Sequence, residues 1–167
     1  MKKFAVLAAV AAAFTSTSAF AQALDDNQAE GSATAEVVAP ITLTHVVGAE
    51  LAFGSFTAGT GGTVVVSQAG VGSVTGDVVH MSDSIESADE FDVAGDAGRQ
   101  FSITTTPDVI THTDGTTTMS FVPSAPATGT LDVNGDANFA VGGTLTVGAS
   151  QLAGDYAGTY LVEVAYN

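Results

Sequence analysis

From Ala33 onward, apolar and polar positions alternate along the chain. Ala33, Ala35, Val37, Ala39, Ile41 and Leu43 take every second place, with Thr34, Glu36, Val38, Pro40, Thr42 and Thr44 between them. A period of two sustained this long predicts a β-strand with one buried face. Pro40 has no amide hydrogen for a ladder, so the strand is expected at a sheet edge or at a change of partner.

Further strands are predicted at 51–56, 63–67, 73–81, 90–94, 100–106, 117–122, 138–147 and 159–166. Turn formers separate them: Gly59 to Gly62, Gln68 to Gly72, Gly95 to Gly98, Thr113-Asp114-Gly115 and Asn134-Gly135. These residues accept positive φ or bond their own backbone. About eight or nine short strands without a helical stripe predict an all-β fold, an immunoglobulin-like antiparallel β-sandwich. Phe53, Phe56, Phe91, Phe101, Phe121 and Phe139 are the expected large core residues. In the last strand, Tyr160, Val162, Val164 and Tyr166 share the more apolar face, which predicts that this face turns inward.

The start of the chain follows a different pattern. Lys2 and Lys3 precede an apolar stretch from Phe4 to Phe14, and Ala19-Phe20-Ala21 places small residues where a signal peptidase reads. This predicts a signal peptide at 1–21 cleaved between Ala21 and Gln22. The stretch is too short to cross about 30 Å of hydrocarbon, and no later segment is long and apolar enough, so no membrane span is expected after cleavage. Residues 22–32 are polar and aperiodic, a flexible acidic arm ahead of a sandwich domain at 33–167. Cleavage of 21 residues from 167 leaves 146, one domain's worth of chain. There is no cysteine, so packing and backbone hydrogen bonds alone must hold an exported fold together.

Charge narrows the partners. Without Lys2 and Lys3 the chain keeps one base, Arg99, against 18 acids, a formal net charge of −17. Such a surface repels nucleic acid and anionic lipid. The 46% apolar content and positive mean hydropathy argue against disorder.

Candidate chemistry is sparse. Asp132, Asn134 and Asp136 alternate as in the start of a calcium loop, but Ala137 and Gly143 stand where that loop needs glycine and a bidentate glutamate. Asn134-Gly135 reads better as a hairpin turn. The acidic run from Asp83 to Glu90 reads as a solvated loop, with weak divalent-cation binding as the alternative. His45, His80 and His112 show no metal-ligand spacing. No Gly-x-Ser-x-Gly elbow or phosphate-binding loop is present, and tryptophan platforms for sugars are missing. The expectation is a non-enzymatic protein with no cofactor and no metal.

The ending carries a resemblance. An aromatic residue next to last, Tyr166, and a glycine fourteenth from the end, Gly154, resemble the C-terminal signature of chaperone–usher pilins. The segments ATAEVVAPITLTHVVGAELAFGSF (33–56), GGTVVV (61–66), EFDVAGDAGRQFSI (90–103) and LDVNGDANFAVGGTLTVGASQLAGDYAGTYLVEVAYN (131–167) resemble bacterial domain-of-unknown-function family 4402. That family implies no established activity; its members look like relatives of fimbrial subunits.

The resemblance implies an exported structural or adhesive surface protein, passing through the periplasm to the cell surface. Its partners would be copies of itself and a periplasmic chaperone and usher. In donor-strand complementation, Ala35, Val37, Ala39, Ile41 and Leu43 of one subunit fill a groove in the next. The domain would then lack its own first strand. Gly154, Tyr160, Val162, Val164 and Tyr166 would form the strand that engages the chaperone. The alternative is a self-complete periplasmic or secreted module that binds a small ligand or cations.

Overall fold

The computed structural model describes residues 28–167. The expected signal peptide, with its expected cleavage between Ala21 and Gln22, and the first part of the expected acidic arm lie outside the described residues. The chain divides after Glu36, and Val37–Asn167 forms one compact unit.

Among the described residues there are thirteen strands and no helix. They are β1 (Thr42–His45), β2 (Phe56–Thr57), β3 (Gly62–Val66), β4 (Gly72–Gly76), β5 (Val79–His80), β6 (Asp89–Ala94) and β7 (Gln100–Thr105), followed by β8 (Asp108–His112), β9 (Thr118–Ser124), β10 (Thr128–Thr130), β11 (Asp136–Val147), β12 (Tyr156–Ala157) and β13 (Val162–Tyr166). Every pairing is antiparallel. The fold is the all-β sandwich that the alternation predicts.

β11 organises the molecule. Its first half, 136–141, pairs with β6, and its second half pairs with β3 at 143–147 and with β9 at 142–145. From this axis the large sheet extends to β1 beyond β6, to β4 beyond β3, and through β8 to β12 beyond β9. A three-stranded sheet, β10-β7-β13, and the short pair β2-β5 complete the fold.

Two hydrophobic cores result. The first holds Phe53, Val64, Val66, Val78, Met119, Phe121, Leu145 and Val147. The second holds Phe91, Val93, Phe101, Ile103, Leu131, Phe139 and Val141. Inward positions of β11 keep one parity throughout, so Phe139 and Val141 serve the second core while Leu145 and Val147 serve the first. Five of the six expected core phenylalanines are buried, and Phe56 is half-buried. Burying a side chain of this size contributes about 1.5–3 kcal/mol.

Several elements differ from the sequence expectation. The strand expected from Ala33 starts only at Thr42, where β6 offers a partner. Alternation predicts a face, but a strand also needs a neighbour's ladder. The 73–81 strand is broken at Gly76, whose φ of +69° turns the chain between β4 and β5. The expected 51–56 strand reduces to a bridge between Ala52 and Ser87, with β2 following. β8, β10 and β12 lack the long alternating signal and were not expected. Asn134-Gly135 does turn the chain, with Gly135 at φ +87° and Asp132 Oδ1 accepting from the amides of Asn134 and Asp136. It is not a hairpin, however: β10 pairs with β7 and β11 with β6, so the turn carries the chain from one sheet to the other.

Candidate functional site

The residues expected to serve assembly fall into four places: an exposed stretch, the second core, the surroundings of His112 and, for Tyr160, a cleft. Residues 28–40 are exposed and belong to no strand, and Val37 is 97% accessible. Ala35, Val37 and Ala39 lie in this segment. Ile41 and Leu43 instead pack against the second core of their own domain, Leu43 on β1 opposite Val93.

At the other end, Val162, Val164 and Tyr166 turn inward against the second core, while Glu163 and Ala165 face out. β13 pairs with β7 alone among the described residues, so its outer edge is free. β1 likewise ends the large sheet. Tyr166 ties these edges: its hydroxyl donates to the Ala39 carbonyl at 3.0 Å and accepts from the Asp96 amide at 2.6 Å. Gly95 makes room, since a Cβ there would stand 2.2 Å from that hydroxyl.

Gly154 is elsewhere, just ahead of β12. Its φ is +142°, and a Cβ would meet His112 Nε2 at 2.2 Å. His112 Nδ1 accepts from the Asp114 amide, so Nε2 carries the hydrogen and donates to the Ala153 carbonyl at 3.2 Å. The two signature residues are therefore not brought together; Gly154 packs under His112, and the Tyr166 hydroxyl bonds Ala39 and Asp96.

Between the segments 49–58 and 151–160 lies a cleft of about 1030 Å³. Its floor is the inner face of the large sheet, with Ile110, Met119, Phe121 and Leu145. The walls come from Phe53 and Phe56 on one side and Tyr156 on the other. Phe53 and Phe121 meet edge to face, centroids 6.0 Å apart.

A polar cluster, His45, Asp89 and Tyr160, also lines it. Asp89 is only 4% accessible. Its Oδ1 accepts from the Glu90 amide at 2.9 Å and meets His45 Nε2 at 2.7 Å; its Oδ2 accepts the Tyr160 hydroxyl at 2.7 Å. A carboxylate only accepts, so Nε2 of His45 carries the hydrogen. The Tyr160 phenol is pushed well above the usual tyrosine range, first by burial and then by its hydrogen bond to Asp89 and that group's charge. Tyr160 also touches both cores and stacks edge-on to Phe91 and Phe121.

This cluster is not among the sequence expectations, which take Asp83 to Glu90 as one solvated loop. The signal was available in the parity of β6, where burial alternates through Asp89, Phe91 and Val93. Nor is Glu86 freely solvated: it pairs with His80 Nδ1 at 2.6 Å and accepts from the Ser84 hydroxyl. His80 Nε2 is buried without a hydrogen-bond partner. The three histidines thus sit apart, each beside its own carboxylate, Asp89, Glu86 and Asp114. Among the described residues no three His, Asp or Glu side chains are grouped to hold a metal ion, and no helix is long and apolar enough to cross a membrane.

Among the described residues, fold and site together define an antiparallel β-sandwich with two cores, an end whose sheet edges lack partners, and a cleft with apolar walls. The chain belongs to the family described as domain of unknown function DUF4402, which matches residues 41–166. The match begins one residue before β1 and ends on Tyr166. No curated protein and no solved structure matches the chain.

Proposed function

We propose that this protein is an exported, non-enzymatic structural subunit of a fimbria-like or adhesive surface assembly, joined to its neighbours by strand addition. The observation that carries this reading is the pairing of two incomplete features in one domain. Among the described residues an exposed segment, 28–40, belongs to no strand, and two sheet edges, β1 and β13, have no partner on their outer sides. The half-buried Ile41, Leu43, Val162, Val164 and Tyr166 line these edges over the second core. An added strand would bond the β13 edge through its main chain and cover these side chains.

Because Ile41 and Leu43 serve their own domain, the donated segment contracts to the stretch containing Ala35, Val37 and Ala39. A periplasmic chaperone would hold the same β13 edge before assembly, and the subunit would pass from the periplasm to the surface. Size-exclusion chromatography of the mature chain tests this reading. The mature chain is expected to form concentration-dependent oligomers, and Val37→Asp to leave it monomeric. A monomeric mature chain at every concentration overturns the reading.

A second reading, a module that binds a small ligand, is favoured by one observation, the apolar cleft with its buried polar end. Ligand-dependent rises in the melting temperature of the mature chain test it.

A further inference from the structure

The cleft combines three properties that bear on what can occupy it. Its volume of about 1030 Å³ is at the upper end of small-molecule sites, typically about 300–1,000 Å³. Its surfaces are rich in aromatic rings, from Phe53, Phe56, Phe121 and Tyr156. Glu50, Asp89 and Asp155 line it together with His45, and among the described residues no lysine or arginine does.

Asp89 is the informative member. A carboxylate with 6% of its side chain accessible loses most of its hydration, which is costly unless charge and hydrogen bonds replace it. Here the donors are one amide, one phenol and His45, whose imidazole is itself half-exposed. Oδ2 accepts a single hydrogen bond, from Tyr160, so one lone pair is still open. Aromatic rings line the same cleft, and the face of such a ring attracts a cation through its quadrupole. An anion would meet repulsion from the three carboxylates.

We propose that this cleft binds an apolar organic cation, an ammonium group carried on an aromatic or alkyl body. The ammonium lies against Asp89, and the body lies along the part-exposed Leu51, Phe56, Ile110 and Tyr156 of the cleft. The assignment rests on the second reading, that the cleft is a ligand site. It is independent of strand addition, because no residue of β13 lines the cleft.

Calorimetric titration of the mature chain in near-physiological salt tests it, with phenylbutylammonium as the probe and phenylbutanol and phenylbutanoate as its neutral and anionic counterparts. Saturable one-to-one binding is expected, with the ammonium about tenfold or more tighter than the alcohol. The carboxylate should show no binding. Asp89→Asn should remove the preference for the ammonium and keep alcohol binding. Should that variant fail to fold, Tyr160→Phe is the second arm: it keeps the ring, frees Asp89 Oδ2, and should tighten the ammonium several-fold with the alcohol unchanged. Asp132→Asn, an acid outside the cleft, should change nothing, which separates the site from the overall negative field. Absence of binding by both ammonium and alcohol overturns the ligand site itself. Equal binding of the two overturns only the cation assignment, as does an Asp132→Asn loss as large as that of Asp89→Asn.

Discussion

The two halves of β11 experience different surroundings. Along 136–141 the inward side chains Phe139 and Val141 join a core that includes Phe101 and Ile103 from β7 and packs against Val162, Val164 and Tyr166 from β13. Along 143–147 the same strand, with the same parity, joins a core covered by two-residue strands and by the segments 49–58 and 151–160. The first half is closed by a facing sheet. The second is left with a cleft. Residue type does not explain the contrast, since both cores are built mainly from phenylalanine, valine and leucine or isoleucine, with Met119 added in the first. What differs is how much regular backbone faces each half.

That contrast can be broken most severely in the closed core. Phe101 is 1% accessible, and Gly129 sits directly against its ring. Phe101→Ala is expected to cost about 4 kcal/mol, read from urea midpoints. Next is the junction between the halves. A Cβ at Gly142 would stand 2.3 Å from the Val66 carbonyl and close to the backbone of Ser67 and Gln68, which cannot swing aside as a side chain would. Gly142→Ala should cost about 2–3 kcal/mol and loosen the pairing of β3 with β11, visible as faster amide exchange in residues 62–66.

The open core should respond less to the same chemistry. Phe53 already borders the cleft, so Phe53→Ala enlarges an existing space and leaves its neighbours able to close in. A cost of about 2 kcal/mol is expected, clearly below that of Phe101→Ala in the same titration. An equal or larger loss would mean that the cleft closes in solution.

The smallest expected effect concerns the exposed turn beside the cleft wall. The Asp114 carboxylate accepts from the amides of Thr117 and Thr116 and from the Thr117 hydroxyl, and these bonds hold its pKa well below the usual carboxylate range. A depressed folded-state value contributes stability above the unfolded pKa of about 3.9 and loses it as pH falls through the folded value. The melting temperatures of the wild type and Asp114→Ala should therefore differ slightly at neutral pH and converge in strong acid.

Much of the fold was legible residue by residue. The inward parity of Phe91, Val93, Phe139 and Leu145, and the turns at Gly59–Gly62 and Asn134-Gly135, follow from the period-two pleat and from local φ requirements. Both are properties of a few adjacent residues. The same logic, carried one step further along β6, would have placed Asp89 inside. It was missed because neighbouring charges made the segment look solvated.

Other features had no local signal. Nothing near Ala33 reveals that β6 supplies a partner only from Thr42 onward. Nor does anything near Asn134 reveal that the turn passes between sheets. Pairing is decided by strands tens of residues away, and by which of them reach a given edge first. The sequence by itself thus determined the all-β character, the faces of the long strands and the strong negative charge, because each is written in composition or in short-range period. Only the tertiary structure decided which edges remain free, that one core closes while the other opens into a cleft, and that His45, Asp89 and Tyr160 meet. Those outcomes depend on contacts between residues 44 and 71 positions apart, and chain periodicity carries no information across such distances.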